Sequence, residues 1–136
     1  MLFSFFRKYN KSIIYNKINI LAEHNKKGVE GEQIAQNYLS ELGYQILESN
    51  WRFQKAEVDI IAKEHNFLVF VEVKCRSSNV FGEPHTFVSE KKQALFKTAA
   101  EAYLEQKDLD YEIRFDVIGI ILSRQKTKIE HFKDAF

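Results

Sequence analysis

The chain has 136 residues, of which 45% are hydrophobic and 29% are charged. This length is that of one domain with one core, and the balance of apolar and charged residues excludes a disordered or fibrous chain. The sequence has no apolar run of the roughly 18–20 residues that a membrane helix needs. Its one cysteine, Cys75, cannot form an internal disulfide. We therefore expect a cytoplasmic protein that has no membrane partner.

The charge is unevenly distributed along the chain. Residues 1–27 carry a net charge of +5, whereas the rest of the chain carries −4. A basic arm of this kind can bind nucleic acid, and a solvated, frayed N-terminus is the alternative reading. We predict a basic N-terminal extension at 1–25, with a helical stretch over 12–21, and a single domain over 26–136.

The first half of that domain predicts a helix and three strands. Apolar residues at helical spacing predict a helix over 28–42, with Gly43 as its C-cap. A strand follows over 44–52. The segments 57–63 and 67–74 are rich in Val, Ile and Phe and are separated by a short polar turn, which predicts a hairpin. The apolar stripe of the helix is formed by Ile34, Ala35, Tyr38, Leu39 and Leu42.

The second half predicts a loop, a helix and two strands. Residues 77–83 are typical of a loop, and Ser89 can cap a helix over 90–106. A long apolar strand over 111–122 follows, and 126–132 is predicted to be a short edge strand. The second helix is long enough to connect parallel strands. We therefore expect an α/β fold with an α-β-β-β-α-β core and a mixed central sheet flanked by helices. Three residues make the predicted buried stripe of the second helix: Leu95, Ala99 and Ala102.

Charged residues interrupt both strands of the predicted hairpin. Because side chains alternate across a strand, Glu57, Asp59 and Ile61 are predicted to share one face. The other face is predicted to hold Val58, Ile60 and Ala62.

The register of the hairpin decides which residues meet. If facing residue numbers sum to about 130, Asp59 lies near Val71, and a shift of one residue places it opposite Glu72. In either register Asp59 and Glu72 converge if they point to the same face.

Two convergent carboxylates repel each other unless a positive group lies between them. Lys74 is one such group, and Mg²⁺ is another, because it prefers oxygen ligands and is often held by one or two carboxylates. A metal and a lysine together suit phosphodiester hydrolysis. The alternative is a buried ion cluster of Asp59, Glu72 and Lys74 that only stabilises the fold.

Several segments together resemble a known family. The segments AEVDIIA (56–62) and FVEVKCR (70–76) resemble the PD-(D/E)XK signature of restriction-endonuclease-like proteins. The chain more closely resembles the YraN-like family of uncharacterised bacterial proteins, over about 28–122. The other matching features are GEQIA (31–35), NWR (50–52), Lys91 and RFDV (114–117). Ala56 replaces the glycine usual in the family.

This resemblance implies a nuclease-like domain similar to Holliday-junction resolvases. Asp59 and Glu72 would then be ligands of Mg²⁺ or Mn²⁺, and Lys74 would be the catalytic lysine. Glu32 would be a further acid of the catalytic site, although its position in the first turn of the predicted helix also suits the helix dipole. Glu57 would be an accessory acid. The implied partner is DNA, branched or single-stranded, and a two-fold-symmetric junction would favour a homodimer.

Basic residues near the predicted site are candidates for binding phosphate. Arg76, Lys91 and Lys92 are assigned to nucleic-acid binding, and a solvated helix face is the alternative for the two lysines. Arg114 and Asp116 share a strand face and can pair with each other. The histidines have no metal-ligand spacing, which argues against a zinc site.

Two functions from different classes remain open on the sequence. The first is a divalent-metal-dependent nuclease that hydrolyses DNA phosphodiesters. The second is a catalytically inactive module on the same fold that binds nucleic acid or another protein.

Overall fold

The computed structural model of the protein describes residues 11–76, 88–124 and 126–136. The first ten residues of the basic arm and the loop predicted at 77–83 lie outside this part of the chain. Two helices and five strands follow one another as α1 (Lys11–Glu41), β1 (Gln45–Phe53), β2 (Ala56–Glu64), β3 (Phe67–Arg76), α2 (Glu90–Lys107), β4 (Glu112–Leu122) and β5 (Thr127–Phe132). The predicted α-β-β-β-α-β order is confirmed, with β5 as an additional strand.

The five strands form one mixed sheet in the order β1-β2-β3-β4-β5. Strand β3 pairs with β4 in parallel, and the three other neighbouring pairs are antiparallel. The parallel pair requires a crossover, which α2 provides. One core cluster joins the sheet to α2 and a second joins its other face to α1, so the sheet is covered on both sides.

Helix α1 is longer than predicted. It runs without interruption through 31 residues from Lys11 to Glu41 and therefore crosses the boundary predicted at 25. The division of the chain at that point stays a prediction.

The C-terminal end of α1 follows its predicted cap. Gly43 has a φ of +91°, a conformation that costs glycine little, and its N–H donates to the carbonyl of Ser40 at 3.0 Å. Leu42, the last residue of the predicted apolar stripe, lies one residue beyond the observed helix end at Glu41, and its side chain is exposed.

Helix α2 begins at its predicted cap but is rotated relative to the prediction. The Ser89 hydroxyl accepts a hydrogen bond from the Lys92 N–H at 3.2 Å, which confirms the N-cap. Of the predicted stripe only Ala99 is buried, whereas Leu95 and Ala102 are half-buried. The buried positions follow the spacing of a helix face one residue away: Phe96, Ala99, Ala100 and Tyr103.

Strand β2 changes face at Asp59. Val58 packs in the α2-side cluster, whereas Ile60 and Ala62 pack in the α1-side cluster, so the prediction that these three share a face is wrong. On β1, Asn50 lies opposite Asp59 and has a left-handed φ of +51°, whereas the paired residues on either side continue the register. Regular alternation is interrupted there, and Asp59 lies at the break between the two faces.

Within residues 11–76, 88–124 and 126–136, no helix is both long and apolar enough to cross a membrane.

Candidate active site

The hairpin of β2 and β3 adopts the shifted register. Ile60 pairs with Val71, so the next residues along the two strands are Asp59 and Glu72. The regular pairing stops there, and the Val73 N–H donates to Asp59 Oδ2 at 2.8 Å. A side-chain oxygen thus takes the place of a backbone acceptor, which fixes the Asp59 carboxylate beside β3.

Glu72 is a buried carboxylate of which only one oxygen has partners in the described part of the chain. Only 3% of the residue is exposed. Its Oε1 lies 2.5 Å from Lys92 Nζ and 3.4 Å from Lys74 Nζ. Its Oε2 is buried without a hydrogen-bond partner among the described residues. A buried carboxylate oxygen without a partner is costly, so this atom marks a place where a cation would be stabilised.

The ionisation of Asp59 reflects this crowding of acids. Burial, followed by the negative charge of Glu72, raises the pKa of Asp59 from its ordinary 3.8 to about 7. The Val73 N–H and the Lys92 ammonium act in the opposite direction, and the charge of Glu32 adds to the increase. Perturbed carboxyl groups of this kind are typical of functional sites.

Helix α1 brings Glu32 towards the two carboxylates through a close approach to β3. A Cβ atom built on Gly31 would lie 2.7 Å from Cys75 Cβ, so only glycine fits at this contact. The adjacent Glu32 is half-buried, and its charge acts on Asp59 from the α1 side of the sheet. Because Asp59 lies where β2 changes face, it responds to groups from both helices.

The remaining predicted site residues lie around this pair with different partners. Glu57 is about half-exposed and forms a 3.6 Å ion pair with Arg52 on β1. Arg76 is exposed at the end of β3, and Lys91 is exposed on α2. Lys92, which the sequence assigns to phosphate, is paired with Glu72 instead, and its role towards phosphate stays a prediction.

A cleft of about 300 Å³ opens beside Asp59, between the start of β2 and the start of α2. Apolar side chains of α2, among them Phe96, form part of its wall. Both signs of charge are present in its lining, on Lys55, Glu57, Asp59, Lys91 and Lys92. A polyanion could be held by these cations while the carboxylates lie at one side of the cleft.

The site can be tested for its fit to the Mg²⁺ or Mn²⁺ that the sequence predicts. In the described parts of the chain, no group of three or more His, Cys, Asp and Glu side chains is arranged to hold a metal ion. Asp59 and Glu72 nevertheless offer two neighbouring hard oxygen donors, and Glu72 Oε2 lacks a partner. Mg²⁺ is often held by one or two carboxylates and keeps several waters, so this pair fits such an ion.

A second polar cluster lies on β4 and was only partly predicted. Arg114 donates to both oxygens of Asp116 at 2.9 Å, which confirms the pairing expected from their shared strand face. Arg114 Nη1 also lies 2.8 Å from Glu64 Oε2, and its Nη2 donates to the Tyr44 hydroxyl at 2.9 Å. His131 Nε2 lies 2.7 Å from Asp116 Oδ2. We call these five residues the β4 polar cluster.

No comparable signal in the sequence identified Glu64, Tyr44 or His131. Glu64 ends β2, Tyr44 precedes β1 and His131 lies on β5, so they meet Arg114 and Asp116 only in the assembled sheet. An acid at the end of a strand, such as Glu64, is ordinarily solvated. The Arg-x-Asp spacing was the available signal, and it identified the two central residues.

Comparison with known proteins places the chain in a family. The family model described as uncharacterised protein family UPF0102 matches residues 31–120. A UPF0102 protein of Flavobacterium psychrophilum is 53% identical over 116 residues, which cover 85% of this chain and 98% of the relative. One of Christiangramia forsetii is 51% identical with the same coverage, and one of Alkaliphilus oremlandii is 45% identical over 82% of this chain and 99% of its own length. The chain therefore belongs to UPF0102, the YraN-like family that its motifs resemble.

Proposed function

We propose that this protein is a divalent-metal-dependent nuclease that hydrolyses DNA phosphodiesters. The observation that carries the proposal is the pair Asp59 and Glu72. Two neighbouring acids are held in a largely buried setting, the pKa of Asp59 is raised to about 7, and Glu72 Oε2 is unpartnered among the described residues. Such a pair destabilises the folded chain, so a bound cation offers a reason for its presence.

Asp59 and Glu72 would hold Mg²⁺ or Mn²⁺. When bound, the ion would supply Lewis-acid polarisation of the phosphate and a lowered pKa for a coordinated water. The Val73 N–H fixes the orientation of the Asp59 carboxylate at 2.8 Å, so one donor is already in place before the ion arrives.

Lys74 is proposed as the lysine of the reaction. Its Nζ lies 3.4 Å from Glu72 Oε1, and 29% of its side chain is exposed, so its ammonium is near the carboxylates and still accessible. A cation in this position would orient the attacking water or stabilise the charge that develops on the phosphate. Glu32 would support the site through its charge on Asp59.

DNA cleavage by the purified full-length protein tests this proposal. Linear, single-stranded, flapped and four-way-junction DNA would each be incubated with Mg²⁺, Mn²⁺ or chelator. We expect metal-dependent cutting by the wild type, and a loss of at least about a hundredfold in Asp59→Asn and Lys74→Ala, since each change removes a group from the reacting centre.

Two matched variants control for the loss of charge. Asp110→Asn removes an exposed acid, and Lys97→Ala removes an exposed lysine of α2. Both should cleave at the wild-type rate. Equal rates in Asp59→Asn, Lys74→Ala and the two controls would refute the assignment, and no cutting of any DNA by the folded wild type would refute the activity.

The second candidate is a catalytically inactive module that binds nucleic acid or protein on the same fold. The observation in its favour is that Lys92 Nζ lies 2.5 Å from Glu72 Oε1 and so gives this buried acid a counter-charge from the protein itself. DNA affinity in chelator tests it, with the basic residues of 1–10 changed to Gln, because deleting 1–25 would cut into α1. Lower affinity with a flatter salt dependence would favour this candidate.

The proposal implies a partner, a location and an assembly. DNA is the partner, and the cytoplasm is where a bacterial protein of this kind would meet it. A homodimer would suit a two-fold-symmetric junction. Sedimentation of the protein with and without junction DNA tests the assembly.

A further inference from the structure

Lys92 links the buried carboxylates to the open cleft. Its Nζ lies 2.5 Å from Glu72 Oε1, and its side chain is 37% exposed, whereas that of Glu72 is 4% exposed. The same side chain contributes to the lining of the cleft. The ammonium therefore lies at the border between a buried anion and the space that a ligand would enter.

The lysine is anchored by the start of α2. The Lys92 N–H donates to the Ser89 hydroxyl that caps the helix, so the backbone of this residue is fixed. The side chain is long, flexible and 37% exposed, so its ammonium can reach into the cleft while the backbone stays in place. The backbone of Lys92 is therefore held in place, whereas its ammonium can change partner.

Lys92 covers only part of the negative charge at the site. Glu72 Oε2 keeps no hydrogen-bond partner among the described residues, and the pKa of Asp59 stays raised in spite of the nearby ammonium. A divalent cation between the two acids would compensate both. It would also repel the Lys92 ammonium, which lies 2.5 Å from Glu72 Oε1, because two cations beside the same carboxylate repel each other strongly in a partly buried site.

We propose that Lys92 is a positioning residue that exchanges partners: its ammonium holds Glu72 in the metal-free protein and moves to a phosphate oxygen of the substrate when a divalent cation binds. The second half of this inference rests on the proposed nuclease function, whereas the first half requires only that Asp59 and Glu72 bind a cation. Lys74 is the less suitable residue for the exchange, because it lies on the same strand as Glu72 and its Nζ is 3.4 Å away.

Mn²⁺ binding to the full-length protein tests the exchange. Wild type, Lys92→Met and Lys91→Met would be titrated with Mn²⁺ at pH 8.5 and followed by calorimetry. Lys91→Met is the matched control, because Lys91 lines the same cleft one residue away and the short contact with Glu72 belongs to Lys92. We expect Lys92→Met to bind Mn²⁺ at least about tenfold more tightly than wild type, and Lys91→Met to stay within about twofold.

The rate of DNA cleavage at saturating Mn²⁺ is a second measurement, and it should fall in the variant whose affinity for Mn²⁺ rises. Lys92→Met should bind the metal more tightly and yet cut DNA at least about tenfold more slowly, since the phosphate contact is lost. A purely structural ion pair would not improve metal binding on removal. Lys92→Arg keeps the charge and should retain the wild-type affinity for Mn²⁺, so a gain confined to Lys92→Met would be due to the lost charge.

The outcomes separate this inference from the proposed function. Equal or weaker Mn²⁺ binding by Lys92→Met, with an active wild type, overturns the exchange and leaves the nuclease. Tighter binding by Lys92→Met, with no cleavage by any variant, supports the exchange at the metal and overturns the nuclease. Absence of Mn²⁺ binding in all variants overturns both.

Discussion

Glu72 and Asp116 are both charged and almost fully buried, yet their surroundings differ in kind. Asp116 receives two N–H groups of Arg114, lies 2.7 Å from His131 Nε2 and accepts the Asp134 N–H at 3.0 Å. Glu72 has two ammonium groups near one oxygen and no hydrogen-bond partner for the other among the described residues. Both oxygens of the Asp116 carboxylate have hydrogen-bond partners, which makes this acid saturated, whereas Glu72 is unsaturated.

The pKa shifts follow this difference. Burial opposes the ionisation of Asp116, but the hydrogen bonds from His131, Arg114 and the Asp134 N–H outweigh it and lower the pKa of Asp116. At the candidate site burial and Glu72 dominate and raise the pKa of Asp59. A saturated buried acid stabilises the fold, whereas an unsaturated one is a place for a ligand.

The largest expected effect comes from breaking the saturated cluster. Asp116→Asn leaves the Arg114 guanidinium, whose side chain is 11% exposed, without its main counter-ion. We expect the free energy of unfolding to fall by about 3 kcal/mol or more at pH 7, as measured in urea. Glu130→Gln removes the partly exposed partner of Lys128 and should cost under about 0.5 kcal/mol. Similar losses in both variants would contradict the assignment of the cluster as structural.

At the candidate site, removing an acid is expected to raise the free energy of unfolding. Asp59→Asn should stabilise the metal-free protein at pH 8 by about 1–3 kcal/mol, because Asn can still accept the Val73 N–H without adding a second buried charge. Loss of cleavage would accompany this gain. Thermal midpoints in chelator measure it.

The pH dependence of that gain follows from the raised pKa. The unfolded chain releases the Asp59 proton near pH 4 and the folded chain near pH 7. The free energy of unfolding therefore falls as the pH rises through this window, and the deficit persists above it. The advantage of Asp59→Asn should be absent near pH 4 and full above pH 7. A difference that does not change with pH would show that the charge of Asp59 is not its cause.

A smaller effect is expected where α1 meets β3. Gly31→Ala places a Cβ 2.7 Å from Cys75 Cβ, so the helix must shift away, and we expect a loss of about 1–3 kcal/mol in urea unfolding. Gly28→Ala lies in the same helix with open space around its Cβ and should gain about 0.5–1 kcal/mol. The Gly31→Ala variant should also show a lower pKa for Asp59, since Glu32 moves with the helix. Equal stability of the two variants would refute the close contact.

The smallest effect is expected at Glu57. Its 3.6 Å ion pair with Arg52 is largely exposed, so Glu57→Gln should change the free energy of unfolding by less than about 0.5 kcal/mol. Its cleavage rate decides its role: a slower rate at unchanged stability would identify Glu57 as the accessory acid that the sequence suggests, and an unchanged rate would leave it as a surface residue.

The acidic residues of the site could be predicted from the sequence, but the register of the β2–β3 hairpin that aligns them could not. The acids Asp59 and Glu72 stand out because they interrupt apolar strands. Their alignment depends on the turn, which spans only His65 and Asn66 between the paired Glu64 and Phe67. His65 takes a left-handed φ of +52° without being glycine, so the polar turn predicted the hairpin but held no Asn-Gly or Asp-Gly pair that would fix its register.

The pairing of Lys92 with Glu72 was not predicted, because the sequence pattern assigns this lysine to phosphate or to a solvated helix face. Helix phase is not the reason: Lys92 lies one turn before Leu95 of the predicted stripe and one turn before Phe96 of the observed buried face. Only the packing of α2 against the sheet shows that the start of this helix lies beside Glu72.

The strand order has a consequence for how the chain folds. Strands β2 and β3 are adjacent in sequence and form a local hairpin, whereas Lys92 lies 20 residues beyond Glu72 and reaches it only when the crossover to β4 is complete. Local contacts generally form before distant ones. The two acids therefore meet in the folding chain before Lys92 arrives, with only Lys74 of the same strand to offset their repulsion, and this repulsion opposes the hairpin at its earliest stage. We expect Asp59→Asn to refold faster than the wild type, so that the carboxylate that equips the site also slows its assembly.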